Sequence, residues 1–193
     1  MKKPRRGFTL TELMIVVAIV GILAALAIYG LRRYQQAAGT GEATSMLQGM
    51  RGAEENFRAE NLTYGGCNAA GFVNNGTNAV AADFYPRALG ALNDRKAAFD
   101  MAGTPAIEQC FRAVGFRSDG PVRFVYAAIA GPPGTALPTN PAGLFSMAMQ
   151  NVNAPTEPWY ILVAAGDRDN DGIRARLHTN SLYNEVHMED DTE

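Results

Sequence analysis

A long apolar run close to the amino terminus constrains this chain more than any other feature. After Glu12 the sequence continues through nineteen uncharged, mostly apolar residues, 13–31, before it reaches Arg32 and Arg33. A helix of that length measures about 28 Å, close to the thickness of a bilayer's hydrocarbon core. Because the run is apolar on every side, its helix must be surrounded by lipid or by protein. We therefore predict a membrane-spanning helix.

The charges that flank this run predict its orientation. Residues 1–7 carry four positive charges and no negative charge, whereas two arginines follow the run. The excess of positive charge places the amino terminus in the cytoplasm and everything after residue 31 outside it. The remainder of the chain is more acidic than the overall net charge of −2. An acidic protein is a poor general binder of nucleic acid, so DNA is not an expected partner.

Glu12 is a charged residue at the edge of an otherwise apolar segment. A carboxylate costs on the order of 2.5–3.5 kcal/mol at the centre of a membrane and less near its edge, so it calls for a partner. A cleaved signal peptide is one alternative, since 25–27 reads Ala-Leu-Ala. The apolar run exceeds the roughly 7–15 residues of such signals, however. A second alternative is a glutamate that reaches the lipid headgroups.

The residues GFTLTE at 7–12, followed by the apolar run, resemble the amino-terminal signal of type IV pilins and type II secretion pseudopilins. In that family a prepilin peptidase cuts after the glycine and methylates the new amine. The resemblance implies that the leader 1–7 is removed between Gly7 and Phe8, and that Phe8 is N-methylated. It also implies that Glu12 neutralises the amine of a neighbouring subunit in a filament.

The rest of the chain predicts an α+β head. Apolar residues recur at helical spacing from Ala43 to Phe57, so the helix should continue from its membrane part, 8–31, into an amphipathic part, 32–60. The region 121–193 predicts an antiparallel β-sheet, with strands at 122–130, 144–150, 159–165, 173–178 and 182–188. A long amino-terminal helix packed on a carboxyl-terminal antiparallel sheet is also the pilin-like architecture that the resemblance implies.

The region 61–120 is predicted as a loop region that contains both cysteines, Cys67 and Cys110. If the head lies in an oxidising compartment, these two residues can form a disulfide that closes the loop. Two buried free thiols are the alternative. Within this region, 107–112 predicts a short helix or strand.

An aspartate cluster lies between two of the predicted strands. Asp167, Asp169 and Asp171 alternate within a turn that glycines close, and such spacing can direct several oxygens to Ca²⁺. The glutamate of a complete calcium loop is missing, and His178 stands in its position. The pattern favours a plain polar turn, with calcium as the alternative cofactor. Major pseudopilins bind calcium in a nearby loop, which supports the alternative.

The sequence lacks the common catalytic motifs, and His178 and His187 are its only histidines. We therefore expect no enzymatic activity. The resemblance implies a structural subunit, major or minor, of a type IV pilus. Such a subunit is held in the inner membrane with its head outside the cytoplasm and is then assembled into a surface filament. Alternatives are a type II secretion pseudopilin, a tip-located minor pilin that binds a surface or DNA, and a secreted enzyme.

The resemblance also implies a set of partners. They are further copies of this chain or other pilins, the prepilin peptidase, the inner-membrane assembly machinery, and membrane lipids before assembly. Any role of the subunit in motility, adhesion or secretion would depend on the filament that it forms.

Overall fold

The computed structural model describes residues 7–93, 95–99, 105–145, 154–167, 170, 172–183 and 185–189. The chain divides into two compact units, Met1–Ala38 and Gly39–Glu193. The described part of the first unit contains the exposed apolar part of a long helix. The second unit, the head, contains the carboxyl-terminal part of that helix and all of the strands assigned in the described residues.

The long helix, α1, runs from Leu10 to Asn61. In the head its buried face contains Ala43, Leu47 and Met50, which recur at the predicted spacing of three and four residues. At its carboxyl end the amide of Leu62 donates to the carbonyl of Arg58, and Leu62 has a φ of 60°. This left-handed residue directly after the helix redirects the chain toward the sheet.

Six short strands of the described chain form one antiparallel sheet in the order β2-β1-β3-β4-β5-β6. Their bounds are Gly66–Asn68 (β1), Gly71–Val73 (β2), Val125–Gly131 (β3), Trp159–Gly166 (β4), Ala175–Asn180 (β5) and His187–Glu189 (β6). The predicted α+β class, with a long amino-terminal helix and an antiparallel sheet, is confirmed.

The two central strands, β3 and β4, are buried at every position. Alternate side chains enter two separate apolar clusters. One cluster joins Tyr126 and Tyr160 to the buried face of α1. The other joins Val125 and Ile161 to Phe84 and to loop residues such as Leu137 and Phe145. The sequence predicted that the helix covers one face of the sheet. In the structure, these loops cover the opposite face of the sheet as well.

The region predicted as a loop, 61–120, contains regular structure. It supplies β1 and β2, which extend the sheet beyond the predicted sheet region 121–193, and a second helix, α2, over Ala106–Val114. The prediction at 107–112 left helix and strand open, and the segment is helical. Gly115 ends α2 with a φ of 95°, and its amide donates to the carbonyls of Phe111 and Arg112.

Two predicted strands differ from the structure. Leu144 and Phe145 belong to no strand, and the rest of 144–150 lies outside the described residues. The strand predicted at 182–188 is wrong at its start, because Asn180 Oδ1 accepts hydrogen bonds from the amides of Leu182 and Tyr183 and forms a turn there. Strand β6 begins only at His187.

Candidate functional site

The first turn of α1 is closed by a reciprocal pair of hydrogen bonds. The amide and the hydroxyl of Thr9 donate to Glu12 Oε2 over 2.9 Å and 2.8 Å, and the amide of Glu12 donates to Thr9 Oγ1 over 3.2 Å. This arrangement is a capping box, in which a threonine before the helix and a glutamate three residues later satisfy amides that lack a helical partner. The Thr-x-x-Glu spacing in the sequence is the signal for this capping box, although the box was not among the predictions.

The predicted processing residues precede this turn. Gly7 and Phe8 are exposed and lie in a stretch without helical structure, directly before α1. The side chain of Phe8 is 85% exposed. Glu12 is also exposed and lies one turn into the helix. The structure thus brings Phe8, Thr9 and Glu12 together at one end of α1, while residues 1–6 lie outside the described part.

The segment that follows presents apolar side chains on all sides. Leu10–Leu31 is long and apolar enough to cross a membrane, and none of it is buried within the chain. Large side chains around the whole circumference, such as Ile15, Val20 and Leu26, are each more than half exposed. A surface of this kind is unstable in water, so it requires lipid or neighbouring protein.

Cys67 and Cys110 form a disulfide that joins β1 to α2. The two Cα atoms are 5.7 Å apart, and both residues are buried. The bond links residues 43 positions apart in the sequence. It therefore fixes α2 against the sheet within the region that was predicted as a loop.

The structure describes the aspartate turn in part. Asp167 is buried, and its two carboxylate oxygens accept hydrogen bonds from the amides of Asn170 and Gly172. Asp169 and Asp171 lie outside the described residues. Within the described residues, no group of three or more His, Cys, Asp or Glu side chains is positioned to hold a metal ion. The calcium hypothesis for these three aspartates remains a prediction.

Comparisons with known proteins agree with the amino-terminal geometry. A family model described as the prokaryotic N-terminal methylation motif matches residues 2–28. The type IV major pilin protein PilA of Myxococcus xanthus is 48% identical over 59 residues, which cover 31% of this chain and 27% of that protein. The type IV major fimbrial protein FimA of Dichelobacter nodosus is 43% identical over 77 residues, which cover 39% and 45%. Over its amino-terminal part the chain is similar to type IV pilins.

The likeness to this family covers only part of each relative. The fimbrial protein EcpC of Eikenella corrodens is 39% identical over 70 residues, which cover 36% of this chain and 46% of that protein. The matches therefore span less than half the length of these relatives. No solved structure matches the chain.

One buried carboxyl group in the head was not among the predicted site residues. Glu54 lies on the buried face of α1, one turn after Met50, and is fully inaccessible to solvent. Its Oε2 accepts a hydrogen bond of 2.9 Å from the amide of Gly65. Burial raises the pKa of Glu54 to about 8, against the opposing effect of the Gly65 amide. Glu54 follows Ala43, Leu47 and Met50 at helical spacing, and this spacing was the sequence signal that its side chain is buried.

His178, which stands at the twelfth position of the calcium-like pattern, lies in the interior of the head. His178 is buried on β5, with its ring 4.6 Å from that of Phe145 and 5.0 Å from that of His187. Burial, followed by the nearby His187, lowers the pKa of His178 to about 4. The ring of His178 is therefore neutral near pH 7 and forms part of the packed interior.

Proposed function

We propose that this chain is a structural subunit of a type IV pilus, assembled into a helical filament after removal of residues 1–7 and methylation of Phe8. The observation that carries the proposal is the exposed apolar segment Leu10–Leu31 with Glu12 in its first turn. Membrane lipid would cover that segment before assembly, and the same segments of neighbouring subunits would cover it in the filament. The head would lie outside the cytoplasm throughout. The proposed role is structural, without catalysis.

Glu12 would pair with the new amine of Phe8 on a neighbouring subunit. Two opposite charges that meet in an apolar filament core offset much of each other's desolvation cost, whereas one unpaired charge is strongly destabilising. The pair would therefore set the axial register of the helices. The two hydrogen bonds from Thr9 hold the Glu12 carboxylate beside the amino-terminal end of α1, which supports a role at this position.

The glycines of α1 in the head also support assembly. Gly41, Gly49 and Gly52 are exposed, and no atom of the described chain lies within 4 Å of a Cβ placed on any of them. A glycine costs a helix about 1 kcal/mol relative to alanine. Because the pilin head gains nothing from this cost by itself, we assign these positions to close approach by another subunit.

The decisive test compares variants of Glu12 expressed as full-length protein in a piliated host. We expect Glu12→Ala to be inserted, cut and methylated but to give little sheared surface filament, because the Phe8 amine is left unpaired. The measurements are mass spectrometry of the mature terminus and the yield of sheared fibres. Glu60→Ala, which changes an exposed head residue of the same helix, is the matched control. Filament yield equal to the control would contradict the register role.

The pseudopilin alternative shares the same processing and helix. The relatives reported above are named as pilins and fimbrial proteins, which favours the pilus. Deletion of the gene should therefore abolish twitching or surface fibres and leave protein secretion unchanged. Loss of exoprotein secretion with normal fibres would instead support the pseudopilin, and a tip-located minor subunit would be detected at the fibre ends by labelling.

Calcium binding by Asp167, Asp169 and Asp171 is the alternative to a plain polar turn in this subunit. A bound ion would stabilise the folded head by mass action, so the melting temperature of the full chain in detergent should rise with calcium and fall with a chelator. Asp169→Asn with Asp171→Asn should remove that difference. Equal melting temperatures of the unaltered protein in both conditions would identify a plain polar turn.

A further inference from the structure

The last strand of the described sheet is joined to its neighbour by few contacts. Strand β6 lies at one edge of the sheet and pairs only with β5. Three cross-strand pairs connect the two strands: Arg176 with Glu189, Leu177 with Met188, and His178 with His187. Short segments with few contacts are the parts of a fold that open most easily. A change in the charge of these pairs can therefore decide whether β6 stays on the sheet.

Two imidazole rings face each other across this edge. The ring centroids of His178 and His187 are 5.0 Å apart. His178 is buried, with its ring edge to face against Phe145, whereas the side chain of His187 is 48% exposed. The Nδ1 atom of His178 is buried and has no hydrogen-bond partner among the residues that the structure describes. A proton taken up by this ring would place a charge in the interior, beside a second ring that also binds protons.

One arginine and one carboxylate lie beside the two rings. Alternate residues of a strand share one face of the sheet, so Arg176 and Glu189 lie on the same face as the rings. Glu189 Oε2 is 3.8 Å from Arg176 Nη1, and Glu189 Oε1 is 4.0 Å from His187 Nε2. On the other side, in β4, the residue paired with His178 is the apolar Val163. The charges of these described groups therefore cancel while both rings are neutral, and an excess of positive charge appears when the rings are protonated.

Protonated rings would oppose the pairing of the two strands. Like charges directly opposite each other on neighbouring strands are destabilising, and a buried imidazole resists taking up a charge. Release of β6 removes both costs, because the rings separate and His178 becomes accessible to water. We propose that the pair of His178 and His187 is an acid-sensitive switch, in which protonation of the rings releases β6 from β5. Strand β5 then becomes the edge of the sheet, with backbone groups open to another strand.

The direction of this effect follows from proton binding. Burial, followed by the nearby His187, lowers the pKa of His178 from 6.5 to about 4, against the opposing effect of Glu189. The protein with β6 released therefore binds the proton more tightly, and release is favoured as pH falls below 6.5. Glu54 acts in the opposite direction, because its raised pKa stabilises the folded head in acid. The switch is thus distinct in sign and in place from the effect of Glu54.

Hydrogen exchange of the full chain in detergent measures the release of β6. The protection factors of the backbone amides are determined by NMR at pH 7.5 and at about pH 5, which is above the ordinary pKa of a glutamate. We expect the protection factors of residues 187–189 to fall about 25-fold, because the pKa of His178 differs between the closed and the released sheet. Those of β3 and β4 should not fall.

Two variants connect the release to the rings. His178→Phe keeps an aromatic ring in the interior but binds no proton, so the protection of β6 should be the same at both pH values. His187→Gln, at the exposed position of the pair, leaves only one ring to be charged and should reduce the fall. It provides the test if His178→Phe does not fold. Glu60→Gln, at an exposed position of α1, is the control and should behave as the unaltered protein does.

Four results would overturn the proposal. They are equal protection of β6 in the unaltered protein at both pH values, an equal fall in β3, β4 and β6, a fall that persists in His178→Phe, and a fall in His187→Gln equal to that of the control. The second result would indicate general unfolding in acid, and the third would assign the release to another group. Filament assembly plays no part in this experiment, so its outcome is independent of the proposed function.

Discussion

At the scale of single residues, Glu54 shows how an apolar pattern can contain a polar group. The position falls on the buried face of α1, where a carboxylate would be strongly destabilised. The amide of Gly65 provides one hydrogen bond, and the raised pKa of about 8 means that the carboxyl group is largely neutral at pH 7. The residue therefore couples the stability of the head to pH.

The sign of this coupling follows from the two states of Glu54. The unfolded chain releases the proton near the ordinary pKa of 4.5, whereas the folded head retains it up to about pH 8. The contribution to stability is therefore fully present below pH 4.5 and is lost as pH rises through this window. We expect the free energy of unfolding to fall by on the order of 3–4 kcal/mol between about pH 5 and pH 8.

Glu54→Gln should remove most of this decline, because the amide stays neutral and keeps an oxygen for the Gly65 amide. The measurement is chemical denaturation of the full chain in detergent across that pH range, with Glu60→Gln as the exposed control. A pH profile of Glu54→Gln that parallels the control would show that Glu54 is not the group responsible.

At the scale of elements, α1 combines two kinds of surface in one helix. From Ala43 to Phe57 its apolar face packs into the head cluster, while Gly41, Gly49 and Gly52 on the exposed side have open space around them. Helix propensity disfavours these glycines, and packing within the head does not require them. Glycines that neither helix propensity nor packing within the head explains are expected at a functional surface.

Gly49→Ala should therefore separate stability from assembly. We expect the free energy of unfolding to rise by about 1 kcal/mol, since alanine favours the helix, while the yield of sheared filaments falls because the added methyl group obstructs a neighbouring subunit. Ser45→Ala, also exposed on α1, should raise stability without adding bulk and should leave filament yield unchanged. If Gly49→Ala assembles as well as Ser45→Ala does, the surface of α1 near Gly49 is not a close contact.

Helix α2 illustrates a prediction that a stricter analysis of periodicity could have made. Ile107, Cys110, Phe111 and Val114 are buried at the spacing i, i+3, i+4 and i+7, which is the pattern of an amphipathic helix. Gly115 follows as the expected terminator. The shorter window 107–112 does not by itself distinguish helix from strand.

At the scale of the whole molecule, the disulfide is the covalent link between α2 and the sheet. The chain-entropy model assigns about 4 kcal/mol to a bond that closes a loop of this length. The double variant Cys67→Ala and Cys110→Ala should therefore be less stable by about that amount. It removes both buried sulfur atoms at once and so avoids a single unpaired thiol.

Reduction of the disulfide provides an independent check of its contribution to stability. Dithiothreitol should lower the melting temperature of the unaltered protein to that of the double variant and should leave the variant unchanged. Mass analysis under non-reducing conditions measures the bond directly. Two free thiols in the exported protein, with a melting temperature insensitive to dithiothreitol, would contradict the stabilising role.

Features that depend on residues close together in the chain were accessible from the sequence. The apolar run before Arg32, the motif around Gly7 and Glu12, and the helical spacing from Ala43 to Phe57 each belong to a single segment. Their physical causes are backbone geometry and the cost of exposing apolar groups to water, and both act locally. The sequence by itself was therefore sufficient for the resemblance to type IV pilins, the long helix and the α+β class.

The tertiary structure alone decided which distant segments meet. Strand β1 pairs with β3, although helix α2 lies between them in the sequence. Loops near Phe84 and Phe145 cover the second face of the sheet. The same folding buries Glu54 and places its carboxyl group against the amide of Gly65. Burial and pairing of this kind depend on the summed packing of many segments, and no local spacing of residues specifies that sum.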